Sequence, residues 1–552
     1  MFHAASECTH IHEHLQDAAV AVAAALNVTE PGNTGIGGDC FCLFYDAKTK
    51  KVRALNGSGR SPMKTSLEGL RKEIKASGED PSEIPFLSAH AVTVPGAAAG
   101  WVDTVEKLGS GKVSLEQVLT PAIELAENGF PVSEISAFLW KKSEGLIKTA
   151  SPNGAEMLKK DSNAADGCRS PGRGEIMKNP TIANTYRLLA KHGKKGFYEG
   201  PVAEAMVKAL SDRGSHMSLD DLRSHGDKGS EEPEAMKLNF KGQGINAERG
   251  GINIWEHPPN GQGLVALIAL GVLEEMEKSG KIKKWKPEDH NTVEHLHACI
   301  EALRIGFADG RWWVADPSIS SVPVDGLLGS GYLAERAKSF DPDKIAHEVK
   351  HGSPALRSSD TVYFAVADKE GNGCSFINSN YEGFGTAIIP KGCGFTLQNR
   401  GAGFVLQDGH PNVYAPGKRP YHTIIPAMIT NADDDSLHTV YGVMGKFMQP
   451  QGHVQVLLNT LVFGLSPQDA LDAPRFCIDE NKSPGDLVYL EEGISQEVAD
   501  GLEKLGHTVK IVSGMARSVF GRGQVIRTHW DDGQLVYSAG SDQRGDGASV
   551  PA

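Results

Sequence analysis

Two hydrophobic periods alternate along this chain. Apolar residues recur at helical spacing over 115–128, 182–192 and 202–210. They do so again over 292–307, where positions 293, 296, 300, 303 and 307 share a face. Asp17 is placed to cap an Ala-rich buried helix running to residue 26, which the Pro31-Gly32 pair ends. Extended runs at 41–45 and 52–55 flank the turn Asp46-Ala47-Lys48. A second extended pair, 361–367 and 374–377, flanks Asp368-Lys369-Glu370-Gly371-Asn372, whose Gly and Asn supply the positive φ of a hairpin. If Asp368 pairs with Gly373, Thr361 falls opposite Asn380, with Ser379 beside it. The stretches 151–174 and 350–359 read as surface loops. Mixed periods without internal repeats predict an α/β (α+β) enzyme-sized fold.

Composition narrows the function classes. A net charge of −13 disfavours nucleic acid, and no Lys/Arg block reverses that. The longest apolar runs, 18–26 and 264–273, are too short to span a bilayer. Residues 1–16 are His-rich and lack the apolar stretch of a secretion signal, so a cytoplasmic location is expected. The cysteines at 8, 40, 42, 168, 299, 374, 393 and 477 lack CxxC spacing and read as reduced thiols. Cys8, His10, His12 and His14 alternate as a metal cluster might, but their place in a polar terminus reads as incidental. Thr34-Gly35-Ile36-Gly37-Gly38 lacks the third glycine of a dinucleotide fingerprint and precedes a strand, so it reads as a tight turn near the active site. No metal, cofactor, nucleic acid or membrane is therefore expected as a partner, only a small molecule.

The chemistry centres on Thr361. If the bond after Asp360 breaks, Thr361 becomes an N-terminus whose α-amine can serve as base for its own hydroxyl. A threonine hydroxyl needs such a base, and an α-amine titrating near pH 8 is partly neutral at working pH. The same hydroxyl could cut the chain by attacking the Asp360 carbonyl. On residues alone, Ser-Ser-Asp-Thr before a strand is far more often an ordinary capped loop.

Further residues change that reading. The blocks 18–62, Val94-Pro95-Gly96, His257 to Gly263 (HPPNGQG), 301–317, 361–404, Lys418-Arg419-Pro420, 472–476 and 539–548 resemble the γ-glutamyltranspeptidase family in order and across nearly the whole chain. The resemblance implies a four-layer αββα N-terminal-nucleophile (Ntn) hydrolase sandwich formed by two autocleavage fragments, 1–360 and 361–552, held together as a heterodimer. The family carries a strand and a helix ahead of the Ala-rich helix. Only sixteen residues precede Asp17 here, so that strand is expected to be missing.

The resemblance assigns roles. Thr361 is the nucleophile, Ser379 bonds to it, and Gly445 with Lys446 stands where two backbone N–H groups form the oxyanion hole. A second-glycine position with positive φ makes Lys446 cost on the order of 1 kcal/mol. Ser58 occupies the place of the family's carboxylate-binding arginine, with Arg60 displaced by two residues. Tyr381 replaces an asparagine. Arg400 and Gly403 replace the glutamine and acid that hold a substrate ammonium, so the local charge is reversed and an acid without the amine is favoured. His422 and Thr423 replace a serine pair. A short 404–418 segment in place of the family's lid is expected to leave the pocket open. These changes resemble the oxamate amidohydrolase and cephalosporin-acylase-like branch. They point to an autoprocessing threonine amidohydrolase acting on a small acidic amide. The alternatives are genuine γ-glutamyl transfer or glutathione hydrolysis, and a processing-dead homologue.

Overall fold

The structure, a computed structural model, describes residues 15–346, 349, 361–479 and 487–551. Within them two antiparallel sheets face one another, each covered outside by helices, as the predicted αββα sandwich requires. The first sheet has the order β2-β1-β6-β5: β1 (Asp39–Asp46), β2 (Lys51–Gly57), β5 (Val362–Ala367) and β6 (Gly373–Ser379). The second has the order β10-β9-β8-β7-β4-β3: β3 (Met236–Phe240), β4 (Ile252–Glu256), β7 (Ala427–Asn431), β8 (Leu437–Met444), β9 (Arg522–Asp531) and β10 (Gln534–Ser541). Helices α1 (Leu15–Thr29) and α2 (Ala97–Leu108) lie on the first sheet. Helices α3 (Gly263–Lys278) and α5 (Met448–Leu461) lie on the second, with α4 (Val293–Trp313) packed on α3.

Strand period explains why the middle strands are apolar on both faces. In β1, Cys40, Cys42 and Phe44 join the helix-side core, while Phe41, Leu43 and Tyr45 face the other sheet. In β5, Val362 and Phe364 face the helices and Tyr363 faces across. Continuing that alternation aims Thr361, Ser379 and Asp39 into the space between the sheets, at one end of the sandwich. Both sheets contain strands from before and after residue 361. Separated fragments would each lose a sheet partner.

Several expectations are corrected. The hairpin register is shifted by one: Gly373 pairs with Ala367, which sets Thr361 directly across from Ser379 rather than from Asn380. Asp368 belongs to the loop, because its carboxylate accepts from the Glu370 and Asn372 N–H groups at 3.0 and 2.9 Å. Asp17 does not cap its helix, which begins by Leu15. Instead it accepts from the Ser110 N–H and hydroxyl at 3.1 and 2.8 Å, tying down the loop after α2. The 151–174 stretch is structured in part, with a 3₁₀ turn at Gly154–Met157 and paired short strands Lys159–Lys160 and Cys168–Arg169. The expected loop 350–359, the terminal Cys/His cluster and Asp360 lie outside the described residues. All seven described cysteines are buried and unbridged. No helix among the described residues is long and apolar enough to cross a membrane.

Candidate active site

Thr361 and Ser379 meet where two neighbouring strands end together. Their hydroxyl oxygens are 3.0 Å apart and both side chains are buried. Ser379 Oγ also accepts the Tyr381 N–H at 2.9 Å, which fixes its orientation toward Thr361. The chain can turn so sharply after Ser379 because Tyr381 takes φ 78°. The glycine turn expected near the site lies beneath it. A Cβ on Gly38 would come within 2.2 Å of the Ser379 carbonyl oxygen, so only glycine admits this approach.

The second sheet supplies the facing wall. Strand β8 ends at Met444 and runs into Gly445, φ 131°, and Lys446, φ 52°. The second position of the expected oxyanion pair thus has the positive φ that favours glycine. Its side chain offers compensation: Lys446 Nζ pairs with Glu382 and lies 4.7 Å from the centre of the Tyr381 ring. Gln262, from the HPPNGQG block, donates to the carbonyls of Thr423 and Lys446 at 2.7 and 2.6 Å, joining the two segments.

Arg400 stands between these walls. It is buried, its Cζ lies 4.0 Å from the Tyr381 ring centre, and Nη1 donates to Thr423 Oγ1 at 2.8 Å. Its Nε and Nη2 donors have no hydrogen-bond partner among the described residues. Burial pulls Arg400 down to about 10, while Tyr381, Asp39 and Glu382 hold it up. It remains cationic at neutral pH. Two unpaired donors on one buried guanidinium form a socket for a carboxylate.

His422 Nε2 lies 3.1 Å from Asp39 Oδ2, and the other Asp39 oxygen accepts from the Gly59 and Gly96 N–H groups at 3.0 Å each. Burial raises Asp39 to about 6 against the pull of Arg400, and burial holds His422 well below its ordinary value. His422 is therefore neutral, with Nε2–H donated to Asp39.

Thr361, Ser379, Tyr381, Arg400, Thr423, Gly445 and Lys446 are linked by these contacts, with His422 beside them. Arg60 is engaged elsewhere. It meets Glu231 at 2.5 Å, and Arg419 grips the other Glu231 oxygen at 2.7 Å. Gly403 packs its backbone so close that a Cβ would lie 2.7 Å from the Tyr421 carbonyl oxygen.

The expected open pocket is not found: Thr361, Tyr381, Arg400 and Thr423 are each at most 1% exposed. The cover comes from upstream. Phe86 packs its ring against Tyr381, tilted by 37° with centres 5.7 Å apart, and the helix Leu67–Ala76 packs its Leu70 and Ile74 into the same apolar cluster. Asp39, Gln262, Glu382 and Phe86 were missed by sequence reasoning. Asp39 carried a signal, as an acid opening an otherwise apolar strand after Gly37-Gly38, and Gln262 carried one through its place in the HPPNGQG block. Among the described residues one group of three His, Cys or carboxylate side chains is placed to share an ion, His297, Glu301 and His507, outside this site.

Paired sheets with a strand-end threonine facing a second hydroxyl define an Ntn-hydrolase architecture. The comparisons give the family. The sequence pattern described as Gamma-glutamyltranspeptidase matches residues 15–552, and the chain belongs to that family. It is 31% identical to a glutathione hydrolase-like proenzyme of Bacillus subtilis, over 97% of this chain and 93% of the relative. It is 28% identical to an oxamate amidohydrolase proenzyme of Klebsiella pneumoniae, over 93% and 90%. The crystal structure of a cephalosporin acylase from Bacillus halodurans superposes with a TM-score of 0.81 at 36% identity, covering 97% of this chain and 91% of that one. The chain is an enzyme of the Ntn-hydrolase type.

Proposed function

We propose that this chain is an autoprocessing threonine amidohydrolase that cleaves a small amide bearing a carboxylate on its acyl side. The observation that carries the reading is the Thr361–Ser379 hydroxyl pair, joined through Tyr381 to a buried Arg400 with two donors unpaired among the described residues. Cleavage between Asp360 and Thr361 frees an α-amine, giving fragments 1–360 and 361–552 that stay associated through both sheets. That amine takes the Thr361 hydroxyl proton as the oxygen attacks the amide carbon. Ser379 orients the nucleophile, and the Gly445 and Lys446 N–H groups stabilise the oxyanion. The C–N bond breaks as the ammonium returns its proton to the leaving amine, leaving an ester on Thr361. Water, deprotonated by the same amine, adds to the ester carbonyl and releases the acid.

Arg400 holds the acyl-side carboxylate, with Tyr381 and Thr423 fixing its plane. Where a substrate ammonium would need an anion, the site offers Arg400 and Lys446 with Glu382 already paired to the lysine. That arrangement favours an acid lacking an α-amine. A second reading, glutathione hydrolysis or γ-glutamyl transfer, is supported by the glutathione hydrolase-like relative.

Intact mass of the purified protein tests the cut: two fragments dividing at residue 361 are expected from wild type and one chain of 59.0 kDa from Thr361→Ala. Persistent uncut wild type defeats the reading. Comparing oxamate-type amides with a γ-glutamyl anilide separates the two readings, and ready turnover of the anilide favours the second.

A further inference from the structure

Helix α4 carries His297 and Glu301 four residues apart, and thus on one face. That face meets His507, which immediately precedes the strand Thr508–Val512. One atom from each side chain lies within 4.8 Å of the others, and all three side chains are buried. His297 Nε2 is 2.8 Å from the Asp341 carbonyl and donates to it, which places the ring's lone pair on Nδ1. That Nδ1 lies 2.8 Å from His507 Nε2, so the single proton between the rings belongs to His507. His507 Nδ1 is buried and without a hydrogen-bond partner among the described residues, so moving the His507 proton to that nitrogen frees His297 Nδ1 and His507 Nε2 together to face an ion. Glu301 is held by Arg304 Nη1 at 2.7 Å and by the Ala346 N–H at 3.0 Å.

We propose that His297, Glu301 and His507 bind one divalent transition ion, zinc foremost. Two imidazole nitrogens and one carboxylate oxygen are the borderline donor set zinc accepts, with a fourth position left to solvent. The outer contacts also fit ligand duty, since ligating histidines usually give their other N–H to a carbonyl or carboxylate and ligating carboxylates are themselves hydrogen-bonded. Glu301 supplies one negative charge and Arg304 opposes it.

His297 and Glu301 precede Thr361 and His507 follows it, while Asp341 and Ala346 lie on the stretch leading to the proposed cut. The ion would join the two fragments to each other. Ion binding itself does not rest on the cleavage; only the joining does.

The test uses full-length protein purified without a metal column, stripped with EDTA and titrated with Zn²⁺ and with Co²⁺. Expected are one ion per chain by elemental analysis, a tetrahedral cobalt spectrum without thiolate charge transfer, and a Tm raised by a few degrees. His507→Gln and His297→Gln should each lose all three. A chain carrying Cys8→Ala, His10→Ala, His12→Ala and His14→Ala should keep them. Wild type that binds no stoichiometric ion overturns the proposal without reference to any variant. So does retention of the ion by the His507 and His297 variants, or its loss from the terminal variant. If the ion binds as proposed, uncut Thr361→Ala should bind it equally well, which separates this site from the reading of the active site.

Discussion

At the scale of single residues, function here turns on charges kept out of water. Arg400 is the clearest case, because a buried guanidinium with two idle donors costs stability unless a ligand uses them. Arg400→Met is expected to raise KM for an acidic amide by roughly 10- to 100-fold, in line with losing one charge-assisted bidentate contact, with fragment masses unchanged. Arg400→Lys should recover little, because a single ammonium cannot present the fork. Steady-state kinetics on the mature protein checks both. Asp39 gives a pH signature. Its folded value of about 6 lies above its ordinary 3.8, so the folded chain holds this proton more tightly than the unfolded one. The stability linked to it is complete below pH 3.8 and is lost as pH rises through 6. Urea unfolding of wild type against Asp39→Asn should diverge across that window by on the order of 3 kcal/mol. A constant difference would show that Asp39 does not titrate there.

At the scale of elements, one register and one loop decide the chemistry. Had Thr361 paired with Asn380, a strand's strict alternation would have put its side chain and that of Ser379 on opposite faces. The five-residue loop beginning at Asp368 prevents this by keeping Asp368 out of the ladder. That detail could not be read from the apolar pattern, since both registers satisfy strands apolar on both faces. Thr361, Ser379 and the hairpin were legible in sequence. So were the Gly35-Gly38 turn and the oxyanion segment, which reveal themselves through residue types that backbone geometry demands. The Lys446–Glu382 pair, the Gln262 bridge and the Phe86 cover were not, because they join segments far apart in sequence. Gly445→Ala tests the loop. A Cβ there would meet Gly521 Cα at 3.0 Å, and φ 131° is a conformation L residues resist. The N–H donors should shift and kcat fall about 100-fold, with KM changing far less, as for loss of an oxyanion donor.

At the scale of the whole molecule, the sandwich makes a cut chain viable. Each sheet draws strands from both sides of residue 361, so the fragments should co-migrate on a sizing column and part only in denaturant. The closing segment is anchored by a buried ion network in which Arg475 reaches Asp542 at 2.6 Å and Arg544 binds both Asp542 and Glu491. Asp542→Ala takes the paired carboxylate from buried Arg475 and one of two from Arg544, and should cost about 3–5 kcal/mol in urea unfolding, with the active-site residues themselves untouched.

Sequence alone determined the family and the layered architecture, and it pointed to Thr361 as the proposed nucleophile and to an arginine at position 400. Those features depend on residue identity at fixed spacing, or on a period repeated over a strand or helix. Only the tertiary structure decided which charges are paired and which are idle, that Arg60 pairs with Glu231, and that Thr361 and Arg400 are covered. Pairing and burial are properties of distance in space, and residues brought together by sheet closure carry no mark of that closeness in their order along the chain.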